Sequence, residues 1–176
     1  EVIHLTSNEY YSIQSYLTSN CEDLIYQNYN IKGDKASFGL GAICSRASKS
    51  NKRIYLSGQG ADEIISDYGF NGNKIYGHSE FGGKFPENLN GFWPWNSFYD
   101  GTQIKYLNKE EYVAGHYGIE TRYPFLDKYL VQEFLWLDST LKNSKYKSSL
   151  DEYLRRNDFP FASGQKIGFN TLKDLR

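Results

Sequence analysis

Lys52-Arg53-Ile54-Tyr55-Leu56-Ser57-Gly58-Gln59-Gly60-Ala61-Asp62-Glu63-Ile64-Ile65 decides how this chain is read. Its first five residues, with the β-formers Ile54 and Tyr55 after two charged residues, predict a strand. Its last five open a helix with two acids in the first turn, and Gly69 would stop that helix. Between them lie two glycines, which let a backbone come close to a ligand. A helix start offers unpaired N–H groups and a positive dipole end, both favourable to phosphate or carboxylate. In open α/β sheets ligands bind at the carboxyl ends of the strands, where this loop must lie. Asp62 suits a magnesium site, since that metal takes one or two carboxylates plus phosphate oxygens. The alternative is a tight strand-to-helix turn with ordinary first-turn acids. The spacing matches neither a Walker loop nor a dinucleotide fingerprint.

Outward from this stretch, Val2-Ile3-His4-Leu5 reads as a short strand. Thr6-Ser7-Asn8-Glu9 reads as a capping cluster for a helix running to about Leu17. Residues 19–35 read as loop with a helical turn near Asp23–Tyr26. Residues 35–47 suit a buried helix whose small residues permit close packing on a sheet. Residues 70–100, rich in glycine, read as a long insertion or loop. Helical patterning returns over 103–118, 128–137 and 147–157. Gly118 through Asp127 separates the first two of these as a helix-to-helix corner, broken at Tyr123-Pro124-Phe125-Leu126-Asp127, with Glu120 and Arg122 as an internal ion pair. The order predicts an α/β protein: part of a parallel sheet, then a mainly helical carboxyl-terminal half.

Composition removes several classes of function. A net charge of −1 gives no bulk attraction for nucleic acid or an anionic membrane. No apolar run approaches the ~20 residues of a membrane helix, and no charged-then-apolar leader opens the chain. Cys21 and Cys44 lack metal-type spacing and read as free thiols of a cytoplasmic protein. The 16 tyrosines suit either a core or a cleft. Phe92, Trp93, Trp95 and Phe98 form an aromatic cluster that serves as core packing or, in a ligand-binding reading, as a stacking platform. The chain has no methionine and opens on Glu1-Val2-Ile3-His4, which reads as a processed or truncated product.

Four ordered motifs carry a resemblance. Leu56-Ser57-Gly58-Gln59-Gly60-Ala61-Asp62-Glu63 resembles the L-S-G-E-G-x-D-E motif of the glutamine-hydrolysing asparagine synthetase family. Gly118-Ile119-Glu120-Thr121-Arg122-Tyr123-Pro124-Phe125-Leu126-Asp127 is similar to its G-x-E-x-R-x-P-F-L-D motif. Lys147 through Leu150 resembles its G-K-x-x-L-R helix, and Gln165-Lys166-Ile167-Gly168-Phe169 its R-x-K-x-G-F signature. The resemblance implies that residues 1–176 are the carboxyl-terminal part of a synthetase domain with a partial adenine-nucleotide alpha-hydrolase-like sheet. It implies a ligase that uses ATP and Mg2+ to activate a carboxylate, usually aspartate, as an acyl-adenylate for attack by ammonia or an amine.

By position, the resemblance gives Ser57, Gly58, Gln59 and Gly60 to nucleotide and substrate binding. It gives Asp62 to magnesium, Lys147 to pyrophosphate and Lys166 to the charged transition state. Gln59 falls on the family's catalytic glutamate, and an amide cannot act as a base. Asp151 stands where the family usually has arginine. The family's S-G-G-x-D-S pyrophosphate loop and its glutaminase domain are expected upstream of this chain, so the isolated chain is expected to be inactive. A relative that has lost catalysis and serves in binding or assembly is the competing expectation, and Gln59 favours it.

Overall fold

The computed structural model describes residues 4–22, 25–26, 29–66, 81 and 84–161. The chain forms two compact units. One holds residues 1–57, 105–122 and 168–176; the other holds 58–104 and 123–167.

In the first unit, helix α1 spans Ser7–Asn20 and starts at a complete capping box. The Thr6 side chain accepts from the Glu9 N–H, and the Glu9 carboxylate accepts from the Thr6 N–H at 2.8 Å. That arrangement satisfies two helix-end donors at once and holds the Glu9 carboxyl below its usual pKa. His4 and Leu5 precede the cap without strand geometry, and Val2 and Ile3 lie outside the described residues. A short antiparallel ladder of β1 (Ile25–Tyr26) and β2 (Tyr29–Asn30) follows, where the sequence predicts a helical turn. Two-residue strands leave too few alternating positions to register as a period.

Helix α2 (Lys35–Lys49) is capped by Asp34, whose carboxylate accepts from the Ala36 N–H at 2.8 Å. Its small residues do permit close packing, and the partner is a helix. A methyl group on Gly41 would lie 2.6 Å from Leu17 Cδ1 of α1. Tyr10, Leu17, Phe38, Leu40, Cys44 and Val113 form the core between these helices and the later part of the unit.

Strand β3 (Ile54–Leu56) is as expected, and it pairs in parallel with β4 (Glu120–Arg122), from Ile54 opposite Glu120 to Leu56 opposite Arg122. The sequence reads β4 as a corner. It is corrected to a strand because its three residues, Glu120, Thr121 and Arg122, are too polar for an apolar pattern to show. Its alternation is polar-exposed, Thr-buried, polar-exposed. The expected Glu120–Arg122 ion pair does form at 2.7 Å, but both side chains are well exposed, so it adds little stability. The result is an α/β arrangement with a small parallel sheet among mostly helical elements.

Cys44 is 1% exposed, and burial together with the nearby Glu110 carboxylate pushes its thiol up to about 12. Only the thiolate alkylates readily. In the folded protein at pH 8, Cys44 is therefore expected to react with iodoacetamide roughly a thousandfold more slowly than an ordinary thiol. Full labelling should appear only on unfolding. Rapid labelling of the native protein, located by peptide mapping, would contradict this packing.

The second unit is built on a different core. Ile64, Ile65, Phe85, Trp95, Phe98 and Phe134 are its buried centre. Helix α3 (Asn96–Tyr99) lies within the stretch expected to be irregular. Trp95 and Phe98 stack edge-to-face at 4.9 Å, both buried, while Phe92 and Trp93 stay half exposed. The aromatic cluster is thus mainly core packing. Helix α4 (Gly101–His116) carries the chain back into the first unit. After β4, a tight 3-10 turn at Pro124–Leu126 leads into α5 (Lys128–Trp136), capped by Asp127. Helices α6 (Ser139–Asn143) and α7 (Ser148–Arg156) complete the described chain. Among the described residues, no helix is long and apolar enough to cross a membrane.

Candidate functional site

The loop that follows β3 leaves the first unit at Ser57 and enters the second at Gly58. Ser57 is buried, and its N–H donates to the Arg122 carbonyl at 2.9 Å, extending the parallel ladder by one bond. Tyr55 hydrogen-bonds the Ser57 side chain, yet burial lifts the Tyr55 phenol to about 12.

In the second unit, Gly60 has φ +93, and a methyl group there would meet Leu126 Cδ2 at 2.4 Å. Both facts require glycine. The neighbour that makes the approach close is Leu126, a residue of the Pro124–Asp127 motif, so two of the four sequence motifs are packed together here. Gly58 differs: among the described residues, a methyl group on it would meet nothing within 4 Å.

Residues Ala61–Ser66 form one wide helical turn of π type. The Gly60 carbonyl accepts from both Ile64 N–H, at 2.9 Å, and Ile65 N–H, at 3.4 Å. Such turns cluster at functional sites. The buried Glu63 carboxylate accepts from the Gly60 N–H at 3.0 Å, and the Glu63 carbonyl accepts from Trp95 Nε1 at 2.9 Å. Glu63 is thereby a structural brace for the loop rather than a ligand. Ile64 and Ile65 both turn into the core and anchor the segment.

Asp62 faces the other way. Its carboxylate and the Lys147 side chain are each about a third exposed (29% and 31%), and Lys147 Nζ lies 2.9 Å from Asp62 Oδ1. Lys147 is held there by its backbone: it sits in the left-handed region (φ 51, ψ 40) at the start of α7. The Tyr146 hydroxyl also donates to Asp62 Oδ1, at 2.9 Å. Two sequence-predicted residues from separate motifs are thus brought into direct contact. Tyr146 was not legible, since a tyrosine beside the motif lysine carries no pattern of its own.

Gln59 is partly buried in the loop, between Gly58 and Gly60. Lys166 and the whole 165–169 motif lie outside the described residues. Asp151, the departure from the resembled pattern, is 6% exposed and makes ion pairs with Lys145 and, at 3.1 Å, with Arg155. It braces α7 from within.

Among the described residues, no cluster of three His, Cys, Asp or Glu side chains could hold a metal by itself. Asp62 supplies a single carboxylate. That fits magnesium carried by a nucleotide, where phosphate oxygens complete the shell, and does not fit an all-protein cage. A concavity of about 560 Å³ in this unit is lined by Ile65, Phe125, Phe134, Leu150 and Leu154, with Glu133 as its one charged side chain among the described residues. Among the described residues its lining carries no Lys or Arg.

The described site is a glycine loop following a strand of a small parallel sheet, with Asp62 and Lys147 paired beside it, in an α/β protein. Comparison with known proteins adds one relative. The chain is 27% identical over 148 residues to asparagine synthetase [glutamine-hydrolyzing] 1 of Arabidopsis thaliana; the match covers 78% of this chain and 22% of that protein. This supports a distant asparagine-synthetase-like relationship and, with it, kinship to a family of ligases. The chain therefore spans about a fifth of the length of the curated relative it matches. No family model and no solved structure matches it.

Proposed function

We propose that this chain is the carboxyl-terminal part of the synthetase domain of an ATP-dependent, amide-forming ligase, with aspartate as the favoured carboxylate. The observation that carries the reading is the Asp62–Lys147 pair at 2.9 Å. The residues that the resemblance gives to magnesium and to pyrophosphate are neighbours in space, although far apart in sequence. Both types of charge are needed at one place when pyrophosphate leaves.

In the proposed reaction, a carboxylate oxygen of the substrate bonds to the α-phosphorus of ATP. The bond from that phosphorus to the bridging oxygen breaks, and pyrophosphate departs with the electron pair. Ammonia or an amine then bonds to the acyl carbon, AMP leaves, and the nitrogen loses a proton. Magnesium would supply charge neutralisation on the phosphates, held on the protein side by Asp62. Lys147 would turn from Asp62 to the pyrophosphate oxygens, and Gly58 would admit the nucleotide. Lys166 is assigned the charge that develops at the reacting acyl-phosphate.

The parallel pair β3–β4 is proposed to belong to a larger sheet, whose other strands and S-G-G-x-D-S loop come from an upstream segment. Ile54 and Leu56, on one face of β3, are 61% and 68% exposed, which leaves that face to a covering layer of the larger protein. Strands of parallel sheets are normally covered on both faces. The glutaminase domain that would feed ammonia is proposed to lie upstream as well. The second reading, a relative without catalysis that serves in binding or assembly, is favoured by one residue, Gln59 in place of the family's glutamate.

ATP–pyrophosphate exchange in the full-length protein, with aspartate and the other amino acids offered in turn, separates the two. The ligase reading expects exchange dependent on one carboxylic acid, aspartate first. A folded full-length protein that shows no exchange with any donor would leave the non-catalytic reading standing.

A further inference from the structure

Two consecutive side chains converge on one oxygen of Asp62. Lys147 Nζ and the Tyr146 hydroxyl both lie 2.9 Å from Oδ1. In an extended segment, successive side chains point to opposite faces. Here the left-handed backbone of Lys147 (φ 51) turns the chain into α7 and brings both to the same side. The Lys147 ammonium also lies 5.5 Å from the centroid of the Tyr146 ring.

The two donors have different chemistry. An ammonium cancels the charge of a carboxylate, whereas a phenol hydroxyl donates a hydrogen bond and leaves that charge in place. Lysine is also a point charge on a flexible stem, free to exchange one anion for another. An arriving polyphosphate would compete for Lys147 and has no comparable claim on a neutral hydroxyl.

We infer that Tyr146 is a positioning residue that holds the Asp62 carboxylate in place, still charged, when Lys147 exchanges it for the phosphates of a bound nucleotide. The inference rests on the reading of Asp62 as the protein ligand of a nucleotide-borne metal. It adds a resting state in which Lys147 neutralises Asp62, and a loaded state in which Tyr146 alone of the pair remains on it.

The test is a Mn2+ titration of the full-length protein with saturating ATP, with free Mn2+ read by electron paramagnetic resonance. Tyr146→Phe is expected to weaken Mn2+ about ten- to a hundredfold, the effect of deleting one hydrogen bond to a charged group. ATP binding without metal should be unchanged. Asp62→Asn is expected to weaken Mn2+ at least as much. Wild-type Mn2+ affinity in Tyr146→Phe beside a loss in Asp62→Asn would overturn the positioning role and leave the site reading intact. Equal affinity in Asp62→Asn and wild type would overturn both. If Tyr146→Phe lowers the melting temperature by more than a few degrees, Tyr146→Gln, which keeps an N–H donor, decides. Recovered Mn2+ affinity supports the role, and a loss as large as that of Tyr146→Phe overturns it.

Discussion

Lys147→Ala is expected to lower ATP–pyrophosphate exchange in the full-length protein by about two to three orders of magnitude, the usual cost of losing one preorganised electrostatic partner. Stability should hardly change. The Lys147–Asp62 pair is about a third exposed on both sides, and pairs of that kind contribute at most about 1 kcal/mol. A large loss of exchange with a near-constant melting temperature is therefore the signature of a role in the reaction. Asp62→Ala should lose exchange by a similar factor. Because the two side chains touch, their effects should not add. The double variant is expected to be little worse than either single one. Exchange that survives Lys147→Ala at more than a tenth of the wild-type rate would remove the lysine from the reaction and with it the observation on which the proposed function stands.

The residues that made the site legible are those where backbone need and chemistry coincide. Gly60 shows as a glycine because φ +93 and the approach of Leu126 both exclude a side chain. Asp62 and Glu63 look alike in sequence, both acids in a first helical turn. Only the fold separates them: Glu63 is 4% exposed and braces the Gly60 N–H, while Asp62 reaches Lys147. Thr6 and Glu9 were readable because a capping box is local in sequence. β4 was not, because its partner β3 lies across a long separation and its own residues are polar. α3 escaped for a related reason. Its Phe98 is buried against Trp95, so tertiary packing sets a short helix that propensity does not. The parallel pairing of β3 and β4 agrees with the α/β expectation.

Phe38→Ala is the substitution expected to cost the most stability, about 3–5 kcal/mol. Phe38 is 1% exposed, and its ring stands edge-on to Tyr10 at 5.7 Å and 82°. Truncation would remove that contact and leave a void that cannot collapse easily. Gly41 already brings α2 against Leu17 of α1 as closely as a missing side chain allows, so the two helices have little room to close further. Tyr129→Ala is the matched control: that ring is 70% exposed on α5, and its loss should stay within about 0.5 kcal/mol. Urea denaturation of the three proteins measures both values. A Phe38→Ala cost near that of Tyr129→Ala would mean that α1 and α2 do not share the core described here. A cost of the expected size is a large share of the 5–15 kcal/mol that holds a typical domain folded. It would tie the stability of the first unit, and hence of the β3 strand that presents the loop, to a contact between two helices that carry none of the four motifs.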